Sequence, residues 1–294
     1  MRRSIFKRPL IKFLTIIIMT KRKTLFISDL DGTLLSSEQK FTSFTANGIK
    51  ILQEKGINFT FATARSLVST KKVIGDVKIN IPMVLHNGSF LVDAVNNKRI
   101  IENLLPVKDS ENAVKELLDD GILPMVYTLI EDEEKFLYAE SRLDKFTLPF
   151  VEERLNDPRR KAVQSESEML QGKRYYITAI NEKEKLLPFF EKYKDKFHLI
   201  LNRDFYSKDW WLEFLPQNAS KAQAALQLKN LLGCDKIVSF GDGVNDIELF
   251  KASDECYAVE NADENLKNIA TEVIGHHNDN SVIKWLLENA EKYE

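Results

Sequence analysis

The stretch Ser28-Asp29-Leu30-Asp31-Gly32-Thr33-Leu34 sets two carboxylates two residues apart, directly after the apolar run Thr24-Leu25-Phe26-Ile27. Carboxylates this close do not ionise independently. One can serve as a charged nucleophile or metal ligand while the other is held protonated as an acid. Two further apolar runs also end in oxygen-bearing residues. Ile57-Asn58-Phe59-Thr60-Phe61-Ala62 ends in Thr63-Ala64-Arg65, and Lys236-Ile237-Val238-Ser239-Phe240 ends in Gly241-Asp242-Gly243-Val244-Asn245-Asp246. Lys221 stands in the first turn of a predicted helix. Were the three runs parallel strands of one sheet, their ends would converge on one crevice. Asp29, Asp242 and Asp246 would then offer the hard oxygen ligands that Mg²⁺ prefers. Thr63, Lys221 and backbone N–H groups beyond the strands could hold phosphate oxygens. A phosphate ester with a divalent cation suits that set.

The elements that must position these residues follow from periodicity. Short apolar runs without a helical period read as strands buried on both faces, as in parallel sheets. Strand and helix alternate over the first ninety or so residues: Thr24–Ile27, a helix over Thr42–Lys55 stopped by Gly56, the Ile57–Ala62 strand, a helix from Ser66 to Ile74, and the Pro82–Leu85 strand ending in His86-Asn87-Gly88. That alternation predicts a parallel sheet with right-handed crossovers. Near residue 90 the pattern changes, with a hairpin about Val95-Asn96-Asn97. From about 104 to 207 two strand-and-helix sets predict an inserted α+β domain, including a strong strand over Arg174–Ile180 and a capping box at Asn181–Glu184. The first pattern is expected to return with Trp211–Leu215. A capping box at Ser220–Gln223 then opens the helix that carries Lys221, and the Lys236–Phe240 strand follows. The predicted organisation is a core of 21–103 and 208–294 around an insertion of 104–207.

Bulk composition excludes several classes. A chain of 294 residues, 44% hydrophobic and 29% charged, is of ordinary globular type. Its formal charge of -2 provides no global field toward nucleic acid or an anionic membrane. Cys234 and Cys256 are far apart with no CxxC spacing, as expected of buried thiols in a reducing, cytoplasmic setting. His276-His277 has no third soft ligand beside it and reads as exposed loop. Basic residues precede the apolar run Phe13–Met19, which is far short of the ~20 residues that span a bilayer. No small-x-small cleavage site follows it. Residues 1–20 are therefore read as an extension, disordered or a mis-assigned start with translation expected to begin at Met19; a targeting function is the less favoured reading, and no stable membrane insertion is expected.

The order of these motifs is informative as a whole. DLDGT, a strand ending in threonine, a helix-borne lysine and GDGVND about 210 residues after DLDGT resemble the haloacid dehalogenase superfamily of phosphohydrolases. The large insertion between the second and third motifs looks like that of the Cof-type branch. The resemblance implies an α/β fold, a Rossmann-like parallel sheet core with an inserted α/β (α+β) cap domain. Asp29 would be the nucleophile that becomes an aspartyl-phosphate, and Asp31 would protonate the leaving alkoxide and then activate water. Thr63, Ala64, Lys221 and Asn245 would hold phosphate, Asn245 alternatively orienting Lys221. Mg²⁺ would be held by Asp29, the Asp31 carbonyl, Asp242 and Asp246, the last as ligand or as partner of a ligand.

The sequence also departs from the family pattern. Thr63-Ala64-Arg65 stands where the family usually has Thr-Gly-Arg; a backbone N–H survives at Ala64, but alanine tolerates fewer backbone conformations. Arg65 reads equally as a surface ion-pair residue or a substrate contact, and Asn87 as a turn-former or a site residue. Trp210-Trp211 could be a sugar-stacking platform, though a core role is favoured because one of two adjacent strand residues faces inward. The expected activity is hydrolysis of a small phosphorylated metabolite, foremost a sugar phosphate. A phosphomutase or phosphotransferase on the same core and a catalytically silent binding protein are the competitors.

Overall fold

The computed structural model describes residues 23–203 and 208–293. The readings made for residues 1–20 lie outside the described residues. In chain order the strands are β1 (Thr24–Ser28), β2 (Asn58–Phe61), β3 (Met83–Leu85), β4 (Phe90–Val92), β5 (Arg99–Glu102), β6 (Pro124–Ile130), β7 (Glu133–Ala139), β8 (Arg160–Val163), β9 (Lys173–Asn181), β10 (His198–Arg203), β11 (Trp210–Leu215), β12 (Lys236–Gly241), β13 (Glu255–Ala258) and β14 (Glu272–Val273).

Five of them form the core sheet in the order β14-β13-β12-β1-β2, every pair parallel. The central strand β1 shows why its sequence reads as an unbroken apolar run. Leu25 and Ile27 join a cluster with Ala224, Leu228 and Ile237 under the helix Lys221–Leu232. Phe26, between them, joins Ile49, Leu52, Ile283 and Leu286 of the helices Ser43–Glu54 and Ser281–Asn289 on the other face. With helices on both faces, successive side chains are all buried, so no alternation survives. The α/β class read from the sequence is the class observed.

β3, β4 and β5 form a separate antiparallel sheet. Pro82–Leu85 had been expected to extend the parallel sheet. It touches that sheet through a single parallel bridge, Ala62 to Val84, and its ladder partner is β4. The hairpin expected about Val95–Asn97 joins β4 to β5, with the Asp93 N–H donating to the Lys98 carbonyl (2.8 Å).

The inserted cap is built on a six-stranded sheet, β10-β11-β9-β6-β7-β8, antiparallel except for the β7–β8 pair. The helices Val107–Asp119 and Lys183–Tyr193 pack against it. Trp210–Leu215 corrects the expected return to the core: Trp211 pairs with Ile180 and Glu213 with Thr178, so β11 is a cap strand and the chain re-enters the core after Leu215, not at 208. Strong β propensity and burial mark a strand but do not say which sheet it joins. The capping box expected at Asn181–Glu184 is also replaced. β9 runs through Asn181, whose side-chain oxygen accepts from the Glu182 N–H (2.9 Å), and the helix begins at Lys183.

Candidate active site

Asp29 is the first residue beyond β1, and its N–H donates to the Phe240 carbonyl of β12 (2.9 Å). Asp242 is the first residue beyond β12. Lys221 opens its helix behind Ser220, whose hydroxyl accepts from the Gln223 N–H (3.2 Å). Adjacent parallel strands and one helix start thus bring Asp29 together with Lys221 and Asp242, about 190 and 210 residues later in the sequence. Lys221 Nζ donates to Asp29 Oδ1 at 2.6 Å and to Asp246 Oδ1 at 2.7 Å, all three side chains buried. Asp246 Oδ2 accepts from the backbone N–H groups of Asp242 and Gly243, each at 3.1 Å. The Thr33 hydroxyl donates to Asp242 Oδ1 (2.7 Å). The sequence reading had not singled out Thr33; a hydroxyl two residues beyond Asp31 was its only signal.

Charge in this cluster does not balance. Oxygens of Asp29, Asp242 and Asp246 lie within 4.8 Å of one another, with Lys221 hydrogen-bonded to two of the three residues. Burial, and then the Asp246 and Asp242 carboxylates, push the Asp29 carboxyl well above its ordinary range, against the pull of Lys221. Burial raises Asp242 to about 6, with Asp246 adding to it and Thr33 opposing. Burial draws the Lys221 ammonium toward losing its proton, but Asp246 and Asp29 more than offset this and hold it above its ordinary value. Hard oxygens with surplus negative charge are a donor set that fits a divalent cation such as Mg²⁺.

Asp31 stands apart from that group. Its carboxylate takes a two-pronged contact from Arg65, Nε to Oδ2 at 2.8 Å and Nη2 to Oδ1 at 2.5 Å, and is about half exposed. Thr63 is fully buried. Its N–H donates to the Val84 carbonyl (3.0 Å), its hydroxyl accepts from the Arg65 N–H (3.1 Å), and its carbonyl accepts from the Asn87 N–H (2.9 Å). That corner presents Ala64 at the surface. Asn87 is in the turn that one of its readings expects. Its φ is +51°, and its buried Oδ1 has no hydrogen-bond partner among the described residues, while the residue borders the cavity described below. Asn245 is exposed and, with Lys221 and Ser220, lines a neighbouring groove.

Two glycines set the close approaches. Gly32 has φ +73°, and a Cβ there would lie 2.2 Å from Asp242 Oδ2. Gly88 has φ +99°, and a Cβ would lie 2.4 Å from the Ser220 carbonyl oxygen, the residue that caps the Lys221 helix. Both conformations favour glycine. Behind Gly32, Asn261 donates to the Gly32 carbonyl (2.8 Å) and accepts from the His277 N–H (3.1 Å), while His277 Nδ1 meets the Leu35 carbonyl (2.9 Å). The histidine pair is therefore half-buried scaffolding of the first loop and not the exposed loop expected from sequence.

Between cap and core lies a cavity of about 530 Å³. Asp31, Ala64, Arg65 and Asn87 border it from the core; Tyr127, Tyr176, Trp211 and Glu213 border it from the cap sheet. The alternation of β11 puts Trp211 and Glu213 on one face of that strand. Trp211 therefore borders the cavity, packed edge-on against Phe150 (5.6 Å), while both tryptophans are partly buried against the hydrophobic core, the role favoured from sequence.

Comparison with known proteins decides the family. Residues 26–286 match the model of the haloacid dehalogenase-like hydrolases. The chain belongs to that family. Within this hydrolase superfamily it is 30% identical over 281 residues to a candidate phosphatase of Buchnera aphidicola, covering 89% of this chain and 94% of the relative. It is 29% identical over 284 residues to a 5-amino-6-(5-phospho-D-ribitylamino)uracil phosphatase of Bacillus subtilis, covering 88% and 95%. A haloacid dehalogenase-like hydrolase from Bacteroides thetaiotaomicron superposes with a TM-score of 0.73 at 20% identity, over 91% of this chain and 99% of that one, which shows the shared fold. This haloacid dehalogenase-like protein is a phosphatase of the Cof type. Among the described residues no helix is long and apolar enough to cross a membrane.

Proposed function

We propose that the chain is a Mg²⁺-dependent phosphatase that hydrolyses a small phosphate ester, with sugar phosphates the first class, through an aspartyl-phosphate. The observation that carries this reading is Lys221 Nζ bridging Asp29 and Asp246 at 2.6 and 2.7 Å, where two parallel strands end. A carboxylate attacking a phosphate brings two anions together, so cationic groups must be in place beforehand. Asp29, the Asp31 carbonyl, Asp242 and Asp246 would hold Mg²⁺. Its chemistry there is to neutralise charge shared by the nucleophile and the phosphate.

The protein's own residues divide the remaining work. Asp29 Oδ forms the bond to phosphorus as the bond to the leaving oxygen breaks on the opposite side. Asp31 delivers a proton to that oxygen and then takes one from the water that cleaves the aspartyl-phosphate. Lys221 favours the ionised form of Asp29 and offsets phosphate charge. Thr63, the Ala64 N–H and Asn245 would hold phosphoryl oxygens, and Arg65 and Asn87 would meet the rest of the substrate. The cap cavity would enclose the leaving group and exclude water. The Bacillus relative is named for a phosphate carried on a ribityl chain, which supports a sugar-like arm next to the phosphate. Two buried cysteine thiols support a cytoplasmic setting.

Hydrolysis of p-nitrophenyl phosphate by wild type and Asp29→Asn with Mg²⁺ tests the reading. The variant is expected to lose turnover; retention of the wild-type rate would show that Asp29 is not the nucleophile. Inorganic phosphate released in step with substrate lost distinguishes hydrolysis from phosphomutase chemistry.

A further inference from the structure

The cap face of the cavity holds an acid that the phosphatase mechanism does not use. Glu213 is half-buried in β11, and Tyr176 of β9 donates its hydroxyl to Glu213 Oε1. Among the described residues no cation pairs with Glu213. Burial raises its carboxyl above the ordinary range, with only the Tyr176 hydrogen bond opposing. The arginines of the same cavity are already committed. Arg159 pairs with Asp157 (2.7 Å), and Arg154 lies over the Phe150 ring (3.8 Å) and beside Glu153 (3.2 Å). The open side of Glu213 therefore faces the cavity as an unmatched acceptor, flanked by the rings of Tyr127, Tyr176 and Trp211.

We propose that Glu213 is a specificity-determining residue, accepting a hydrogen bond from an O–H or N–H donor on the part of the leaving group remote from the phosphate. The leaving group would lie along the rings of Tyr127, Tyr176 and Trp211. Tyr176 is the positioning residue: it fixes one carboxyl oxygen and leaves the other to the substrate. An acceptor left without a donor in a closed cavity is costly, and an anion brought beside it is costlier. The pair therefore selects leaving groups rich in donors and rejects those with a second anionic group at that end. A polyol ring and an amino- or imino-bearing heterocycle share this chemistry. The inference rests on the phosphatase reading and deepens it.

Four esters test it with Mg²⁺: phenyl phosphate, which has no remote donor; glucose 6-phosphate, with hydroxyls; flavin mononucleotide, with a ring N–H; and 3-phosphoglycerate, with a carboxylate. Wild type is expected to favour a donor-bearing ester over phenyl phosphate and 3-phosphoglycerate. Glu213→Ala should lower kcat/KM on that ester about tenfold or more while phenyl phosphate stays within about twofold. Tyr176→Phe should produce a smaller loss with the same pattern, and whichever of glucose 6-phosphate or flavin mononucleotide falls identifies the donor. Unchanged phenyl phosphate turnover also reports that each variant is folded. A parallel fall on all four esters, no fall on the favoured one, or preference for 3-phosphoglycerate overturns the role of Glu213. Failure of wild type to hydrolyse even phenyl phosphate overturns the phosphatase reading, and the inference with it.

Discussion

Asp31 is joined to Arg65 by two hydrogen bonds, 2.8 and 2.5 Å, while Asp29, two residues earlier, is held by Lys221 at 2.6 Å. Neighbouring carboxylates therefore occupy different electrostatic settings, one buried beside an ammonium and one half exposed beside a guanidinium. Such separation suits an attacking group and a proton-transfer group. Asp31→Asn should slow alkyl phosphates, whose leaving oxygen needs a proton, by about 10²-fold or more. With p-nitrophenyl phosphate, whose leaving group needs none, the same variant should release a burst of nitrophenolate matching the enzyme concentration and then turn over slowly. Stopped-flow absorbance checks this. Equal losses on both ester types, without a burst, would remove Asp31 from proton transfer.

Lys221 supports the fold as well as the chemistry. Its replacement by methionine leaves Asp29 and Asp246 buried without their cation, a change that typically costs about 3–5 kcal/mol. The sign with pH follows from Asp29, whose carboxyl burial already raises. A raised carboxyl destabilises the folded state at pH values above its unfolded pKa, and the penalty shrinks as pH falls toward that value. Lys221→Met should therefore melt well below wild type at pH 8 and much closer to it at pH 5. Thermal melts at the two pH values decide; a gap independent of pH would point to lost packing instead.

The difference between what the sequence showed and what it hid has a physical basis. Asp29, Thr63 and Asp242 were legible because strands covered on both faces read as continuous apolar runs and stop where the crevice begins. Glu213 was not. Alternation reveals which residues of a strand share a face, but not whether that face meets helices or a cavity. The polar Glu213 between Leu212 and Phe214 was the available sign that β11 has a face on open space. The Arg65–Asp31 contact was hidden because side-chain reach across two strand ends depends on rotamers, not spacing. Trp210–Leu215 was placed with the wrong sheet because its ladder partners, β9 and β10, are set by three-dimensional register.

Divalent cation and protons should compete for the carboxylate cluster. Asp29 and Asp242, whose carboxyls are raised, the latter to about 6, must be ionised to bind a cation. Mg²⁺ added to chelator-treated protein should raise the melting temperature at pH 7.5, by an amount corresponding to about 2.7 kcal/mol at one hundred times Kd. The rise should be much smaller at pH 5, and Asp242→Asn should reduce it at both. A melting temperature insensitive to Mg²⁺ at pH 7.5 would mean that the cluster does not bind it.

Cap and core are also tied together beside the site. His86 Nε2 meets Glu134 Oε2 of β7 at 3.0 Å, and Arg159 approaches the same oxygen at 3.7 Å. His86 precedes Asn87 on the core side, so this contact joins core to cap beside the cavity. Burial alone would raise the Glu134 carboxyl, but His86, Arg159 and Arg99 more than offset it and hold it below its ordinary value. A depressed carboxyl contributes stability above its unfolded pKa, about 4.3 for glutamate, and that contribution is lost as pH falls below it. Glu134→Gln should lower the melting temperature at pH 7, and the gap from wild type should narrow toward pH 4. If the contact sets the cap's seat, KM for a full-sized ester should rise several-fold in Glu134→Gln while phenyl phosphate, too small to fill the cavity, is little affected. A gap of equal size at pH 7 and pH 4 would mean that Glu134 acts there through packing and neutral hydrogen bonds, not through its charge.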